Sequence, residues 1–178
     1  NFKCRFCPTS DRKLMQDVGR PLRVMKLDLF KKIADDICEF PDKIRVLRLY
    51  KDGEPLINKR IADMIKYAKD IDCADKIDTT TNASLLTNEI SKELIDAGLD
   101  RINISIEGVS NKQYKDFSDV KLEYERIVDY VSFFYENKKQ CEVLVKINGD
   151  TLTKEDKDLF LDTFGNFSDK IHIEHIMS

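Results

Sequence analysis

This sequence has no long apolar run, and its cysteines are odd in number. No segment approaches the roughly 20 apolar residues that a membrane-spanning helix needs, and no signal-peptide pattern is visible. The cysteines number five, an odd count that a disulfide scaffold would not use. Reduced thiols are typical of the cytosol. We therefore expect a cytoplasmic protein that has no membrane partner.

The sequence also lacks an excess of charge of either sign. Lys and Arg together number 30 and Asp and Glu number 33, which leaves a formal net charge of −3. The pI is about 5.5. Nucleic-acid-binding domains usually carry a basic surface that neutralises phosphates. The charge balance therefore argues against nucleic acid as a partner.

Two hydrophobic periods alternate along the chain. Short β-branched segments of period two alternate with segments that have the 3.6-residue period of a helix. The predicted strands are 44–50, 76–82, 102–107, 141–148 and 171–176, and the helical stripes are 30–38, 57–68, 90–97, 124–135 and 159–164. Thr87 and Thr153 are predicted N-caps, and Gly98 a helix stop. This alternation predicts an α/β fold built around a parallel sheet or barrel.

The length of 178 residues suits a single domain, which we expect to cover residues 1–178. The chain begins with Asn1 rather than Met and stops at Ser178, directly after a strand-like segment. We therefore expect this domain to be a fragment of a longer protein.

Each predicted strand has one apolar face and one polar face. Ile77, Ile104 and Ile106 should pack on helices, whereas the opposite parity is polar. The polar set is Arg48, Tyr50, Asp78, Thr80, Asn82, Asn103, Ser105, Glu107, Lys146, Asn148, His172 and Glu174. Burying so many polar groups without partners would cost about 1–3 kcal/mol each. The pattern predicts a wet cavity that holds a ligand, or else a sheet face open to solvent.

A Cys-x-x-Cys pair, Cys4 and Cys7, lies near the start of the chain. Such a pair fits a zinc site, a thioredoxin-like dithiol or an iron–sulfur cluster. Pro8 and the loop-like residues after it argue against the helix that a thioredoxin-like motif should open. A zinc site needs two more ligands, and the other cysteines are isolated. We expect those three, Cys38, Cys73 and Cys141, to be core residues.

The segment Asn1-Phe2-Lys3-Cys4-Arg5-Phe6-Cys7 resembles the CxxxCxxC motif of radical S-adenosylmethionine (SAM) enzymes without its first cysteine. Phe6 matches the aromatic residue usual before the last cysteine and would lie beside the cofactor. The resemblance implies that Cys4 and Cys7 ligate a [4Fe-4S] cluster that cleaves SAM to a 5′-deoxyadenosyl radical. It also places the third cysteine immediately upstream of Asn1. Without that ligand, we expect Cys4 and Cys7 to be disordered or solvent-exposed.

Three further stretches resemble SAM-binding motifs of the same superfamily. Asp52-Gly53-Glu54-Pro55 is similar to GGEP, with Asp52 in place of the first glycine. Thr81-Asn82-Ala83 is similar to TNG, and Ser105-Ile106-Glu107-Gly108 to S-x-D/E-G. The resemblance implies that Gly53, Glu54, Thr81, Asn82 and Ser105 contact SAM. Phe117-Ser118 stands where an arginine often binds the SAM carboxylate.

Resemblance to this superfamily implies a partial (β/α)6 TIM-like barrel with parallel strands, whose first strand precedes Asn1. The stretches LRLYKDGEPL and IHIEHI resemble the SPASM-type branch, in which a further cluster-binding domain follows. The implied partners are a peptide or small-molecule substrate and a reductase or flavodoxin-type electron donor. An RNA-modifying radical SAM enzyme and a zinc-stabilised binding module remain as alternatives.

Overall fold

The computed structural model of the chain describes residues 2–4, 7–20 and 23–175. The helices are α1 (Arg12–Asp17), α2 (Leu27–Cys38), α3 (Ile61–Asp70), α4 (Asn88–Asp96), α5 (Asn111–Ser118), α6 (Tyr124–Asn137) and α7 (Lys154–Phe164). The strands are β1 (Ile44–Arg48), β2 (Ala74–Thr81), β3 (Arg101–Ile106), β4 (Glu142–Asn148) and β5 (Lys170–Glu174). Short 3-10 turns lie at Pro8–Ser10, Pro55–Ile57 and Gly165–Phe167. No helix in these ranges is long and apolar enough to cross a bilayer.

The strands form one parallel sheet in the order β1-β2-β3-β4-β5. Sequential order with a helical connection at every step is the arrangement of a βα barrel. Within the described residues, β1 and β5 each have one strand neighbour, so the barrel is open between them. The predicted α/β fold with parallel strands is therefore confirmed.

One face of the sheet packs on the helices and forms the core. Ile77, Ile102, Ile104, Val143 and Val145 are all fully buried. Their neighbours of opposite parity along β3 and β4 are half-buried, which confirms the predicted alternation. The helices contribute the other side of this core through fully buried Leu94, Val131, Phe134, Phe160 and Phe164.

The inner face carries a row of alternating charges, which we call the charged row: Arg48, Asp78, Arg101, Glu142 and Lys170. The first four are direct register partners on β1, β2, β3 and β4. Arg48 Nε lies 3.8 Å from Asp78 Oδ2, and Arg101 donates to the same oxygen. Lys170 Nζ lies 2.7 Å from Glu142 Oε1. Asp78 is only 1% exposed, so its negative charge depends on these cations.

Two helices were not predicted from the sequence, α1 and α5. Both are short and begin at a side-chain cap: Asp11 accepts from Lys13 N and Leu14 N, and Ser110 accepts from Gln113 N. Each helix has few apolar residues, so hydrophobic periodicity does not reveal it. The residues after Pro8, which we expected to be loop-like, therefore form a 3-10 turn and the helix α1.

Four residues that we assigned to apolar helical stripes are exposed, namely Ile33, Ile57, Leu159 and Cys38. Ile57 lies in the 3-10 turn before α3, which begins only at Ile61. Leu159 lies on the outer side of α7, one position away from buried Phe160. Cys38 ends α2 at the surface, so the expectation that it is a core residue was wrong. Cys73 and Cys141 are buried as expected.

Candidate functional site

A backbone hydrogen bond brings Cys4 and Cys7 together at what we call the Cys-x-x-Cys turn. Cys7 N donates to Cys4 O at 3.0 Å. Ser10 Oγ donates to Cys4 O at 3.2 Å and to Cys7 O at 2.7 Å, which fastens the turn to the 3-10 segment behind it. Cys7 Sγ lies 3.0 Å from Thr9 Oγ1. Phe6, a predicted cofactor contact, lies outside the described residues.

Cys4 is held against the end of α5. Lys3 N donates to Ser118 O at 2.9 Å, and Cys4 Sγ lies 3.4 Å from Ser118 Oγ. Phe2 packs edge-on against Tyr114 with the ring centroids 5.9 Å apart. Cys4 is consequently buried and Cys7 is half-buried. The expectation that both would be disordered or exposed was wrong for Cys4, because α5 provides a docking surface that does not need a metal.

The Cys4 thiol faces the carboxyl group of Glu107, which follows β3. Burial raises the pKa of Cys4 to about 12, and the nearby Glu107 adds to that increase. Burial also raises the pKa of Glu107, although its hydrogen bond with Cys4 partly offsets this. Without a bound metal, the Cys4 sulfur is therefore a neutral thiol at physiological pH.

Glu54 joins the loop after β1 to the end of β2. Its Oε1 accepts from Leu56 N at 3.1 Å and from Thr81 Oγ1 at 2.7 Å, and its Oε2 accepts from Asn82 N at 2.9 Å. Glu54 is 9% exposed, and burial raises its pKa despite these three hydrogen bonds. The carboxyl group therefore fixes the relative position of two loops that carry predicted SAM contacts.

Two left-handed residues shape these loops. Gly53 has φ +85°, and a Cβ at that position would meet nothing within 4 Å, so its role is conformational. Ala83 has φ +59° and is fully buried, at the position where the TNG motif has glycine. Asn82 Oδ1 supports this turn by accepting from Ser84 N at 3.0 Å. The turn thus keeps a backbone conformation that favours glycine although alanine occupies it.

A small open cavity of about 80 Å³ lies at the carboxyl ends of β3, β4 and β5. Its polar walls are Ser105, Glu107, Lys146, Asn148 and Glu174. Lys146 Nζ pairs with Glu174 Oε2 at 2.9 Å, so one edge of the cavity carries both signs of charge. Ligands of βα barrels bind at this end of the strands. Glu107 links the cavity to the Cys4 thiol.

The Radical SAM superfamily is matched over residues 1–164, which is most of the chain. The chain belongs to the radical SAM superfamily. The cofactors expected from the motifs, a [4Fe-4S] cluster and SAM, are those of this superfamily. The motif positions therefore lie in a domain of the expected kind.

Known proteins resemble the chain in sequence and in structure. It is 30% identical over 162 residues to a GTP 3′,8-cyclase of Clostridium perfringens (strain SM101 / Type A), covering 91% of this chain and 46% of the relative. SuiB of Streptococcus suis bound to precursor peptide SuiA superposes with a TM-score of 0.72 at 17% identity, covering 99% of this chain and 37% of SuiB. The structure of S. suis SuiB bound to S-adenosylmethionine superposes with a TM-score of 0.57 at 17% identity, covering 75% of this chain and 30% of SuiB. The chain thus spans less than half the length of these proteins.

The structure brings the predicted radical SAM residues together as two groups. Thr81 and Asn82 each donate a hydrogen bond to Glu54. Ser105 lies on the cavity wall next to Glu107, which faces Cys4. Neither Glu107 nor Ser118 was among the predicted site residues. Glu107 could have been found from its place in the Ser105–Gly108 motif, whereas nothing in the sequence shows that Ser118 faces Cys4.

The donor groups fit part of an iron–sulfur site. Thiolates are the usual protein ligands of such clusters, and the turn offers two of them. No group of three or more His, Cys, Asp or Glu side chains suited to a metal occurs within the described residues. The two thiols therefore fit two of the protein ligands of such a cluster.

Proposed function

We propose that this chain is the catalytic core of a radical SAM enzyme whose cluster is bound by Cys4, Cys7 and a cysteine immediately upstream of Asn1. The observation that supports this most directly is the seating of the Cys-x-x-Cys turn on α5, next to Glu107 and the cavity. The cofactors supply reductive cleavage of SAM and a radical that abstracts a hydrogen atom from the substrate. The substrate would occupy the open carboxyl end of the sheet.

Residues around Cys4 would control how the cluster is loaded. Iron binds the thiolate, so Cys4, whose pKa is about 12, must lose its proton on loading. The adjacent Glu107 carboxyl group, whose own pKa is raised by burial, is placed to accept that proton and pass it to solvent. Cluster loading should therefore release a proton and proceed faster at alkaline pH.

The loops at the ends of β1, β2 and β3 would bind SAM. Gly53, Asn82 and Ser105 are accessible at the strand ends, and Phe6 would cover the cofactor from the cluster loop. Glu54 and Thr81 act differently, because both are buried and their side chains are hydrogen-bonded to each other. We infer that these two position the backbone of the SAM-binding loops rather than contact the ligand through their polar atoms.

The substrate we propose is a peptide or a small molecule. SuiB is similar in fold and was crystallised with a precursor peptide, and the C. perfringens relative is named for a reaction of GTP. The acidic pI gives no support for RNA. We further propose that the protein belongs to the SPASM-type branch and takes its electron from a reductase or flavodoxin-type donor.

The test compares two cysteine variants of the full-length protein, prepared anaerobically and reconstituted with iron and sulfide. Cys7→Ser should lose the cluster absorbance and the cleavage of SAM to 5′-deoxyadenosine. Cys38→Ser is the matched control, since its thiol is exposed on α2, outside the motif, and should keep both. Zinc without iron in the wild-type protein, or equal losses in the two variants, would overturn the proposal in favour of the zinc-stabilised module.

A further inference from the structure

Ser118 is a buried serine whose hydroxyl group lies beside the Cys4 sulfur. It is the last residue of α5 and is fully buried. Its carbonyl oxygen accepts from Lys3 N at 2.9 Å, and Lys3 Nζ lies 3.9 Å from Asp119 Oδ2. These contacts hold the backbone next to Cys4, so the 3.4 Å separation between Sγ and Oγ is fixed from both sides.

The direction of this hydrogen bond depends on the state of the cysteine. A thiol and a hydroxyl group can each donate to the other. A metal-bound cysteine is a thiolate and has no proton to give, so Ser118 Oγ–H must then be the donor. Glu107 also faces this sulfur, and it can offer a negative charge or a proton of its own.

We propose that Ser118 donates a hydrogen bond to the Cys4 thiolate and thereby raises the reduction potential of the cluster. This inference rests on the proposed function, in which Cys4 is a ligand. Reduction adds negative charge to the cluster and its sulfurs, so a donor stabilises the reduced state more than the oxidised state. Ser118 would thus make the cluster easier to reduce while Glu107, when ionised, opposes it.

The experiment is a redox titration of the reconstituted full-length protein, with the reduced cluster followed by electron paramagnetic resonance. Ser118→Ala removes the donor, and we expect the potential to become more negative. A tenfold decrease in the equilibrium constant for reduction corresponds to a shift of about 59 mV in the potential of a one-electron couple. Ser118→Thr keeps a hydroxyl group and should restore most of the potential.

Ser91→Ala is the matched control. Ser91 is a fully buried serine on α4 whose hydroxyl group donates to Leu86 O at 3.4 Å, so its loss tests for a general packing effect. The reduction potential of the cluster in Ser91→Ala should equal that in the wild type. Ser118→Gly, which also keeps the backbone contact with Lys3, replaces the alanine variant if that variant does not load.

Three outcomes would contradict the proposals, and they can be distinguished. An unchanged potential in Ser118→Ala or Ser118→Gly at full iron content overturns the role of Ser118 but leaves the proposed function standing. An equal shift in Ser91→Ala shows a packing effect and also overturns that role. A wild-type protein that forms no cluster overturns the proposed function itself.

Discussion

The Glu54 carboxyl group accepts three hydrogen bonds from other groups of the protein. Leu56 N, Thr81 Oγ1 and Asn82 N donate to its two oxygens. The pKa is nevertheless raised, because burial disfavours the charged form more than these donors favour it. The ionised form of Glu54 is therefore less favourable in the folded protein than in water.

Glu54→Gln should change how stability depends on pH. A folded-state pKa above the unfolded value means that the contribution of Glu54 is fully present below the ordinary glutamate pKa of 4.5 and declines as pH rises through the folded value. The free energy of unfolding of the wild type, minus that of Glu54→Gln, should therefore fall from about pH 4.5 upwards. Urea titrations from pH 4 to 8 would measure it.

Asp119→Asn provides the control of opposite sign. A hydrogen bond from Lys115 lowers the pKa of Asp119, so the contribution of this side chain is present above its ordinary pKa and is lost as pH falls. Wild type minus Asp119→Asn should therefore rise with pH over the acidic range. A Glu54 difference that also rises with pH would contradict the buried, raised-pKa state of Glu54.

At the scale of secondary structure, the strands were predictable and two helices were not. The strand ranges observed differ from those predicted by one or two residues at most ends, because period-two alternation marks a half-buried strand directly. Helix α5 has no such signal: its core contact is mainly Tyr114, and its start depends on the Ser110 cap. Local capping and tertiary contact, rather than periodicity, determine it.

The candidate site was also predictable in part: the residues of its motifs could be chosen from the sequence, but their contact with α5 could not. Glu54, Thr81 and Asn82 could be chosen from motifs at strand ends, and parallel strands bring such ends together. The contact between Cys4 and Ser118 joins residues 114 positions apart. Since it depends on an unpredicted helix, sequence patterns could not supply it.

Between neighbouring strands, the charged row makes a quantitative prediction. Asp78→Ala would leave Arg101 and Arg48 without their shared partner on the inner face. Because both arginines keep some access to water, the cost is that of the lost charged hydrogen bond, about 1.5–3 kcal/mol. Denaturant unfolding should show a loss of that size. Asp36→Ala, which breaks the exposed Lys32–Asp36 pair on α2, should change stability by less than about 0.5 kcal/mol.

A loss in Asp78→Ala no larger than that of the Asp36 control would show that the row does not contribute to stability. The exposed pair tests for a general effect of removing a carboxylate. The difference between the two variants is therefore the informative quantity.

Across the whole molecule, the position of a strand in the sheet should determine how well its amides are protected. β3 is hydrogen-bonded on both sides, whereas β5 has β4 as its one neighbour among the described residues. Hydrogen exchange of the full-length protein, followed by mass spectrometry, should show β3 exchanging most slowly and Lys170–Glu174 much faster. Equal protection of β3 and β5 would contradict an open sheet.

The same measurement tests the strand that we propose upstream of Asn1. If that strand pairs with the outer edge of β1, the amides of Ile44–Arg48 should be protected to a similar degree as those of β2. Exchange of β1 as rapid as that of β5 would count against the six-stranded barrel. The comparison is internal, since all three strands are observed in one experiment.

The charged row also bears on how the strands find their alignment during folding. Hydrophobic alternation cannot distinguish the native pairing from a slip of two residues, because such a slip keeps every side chain on its own face. Lys76 lies two residues before Asp78 on the inner face, so a two-residue slip in one of the two directions would set it opposite Arg101 or Arg48. Like charges directly opposite destabilise a strand pair. The charged row therefore disfavours this misaligned pairing of β2 during folding. Such discrimination matters in a parallel sheet, where the paired strands are distant in sequence.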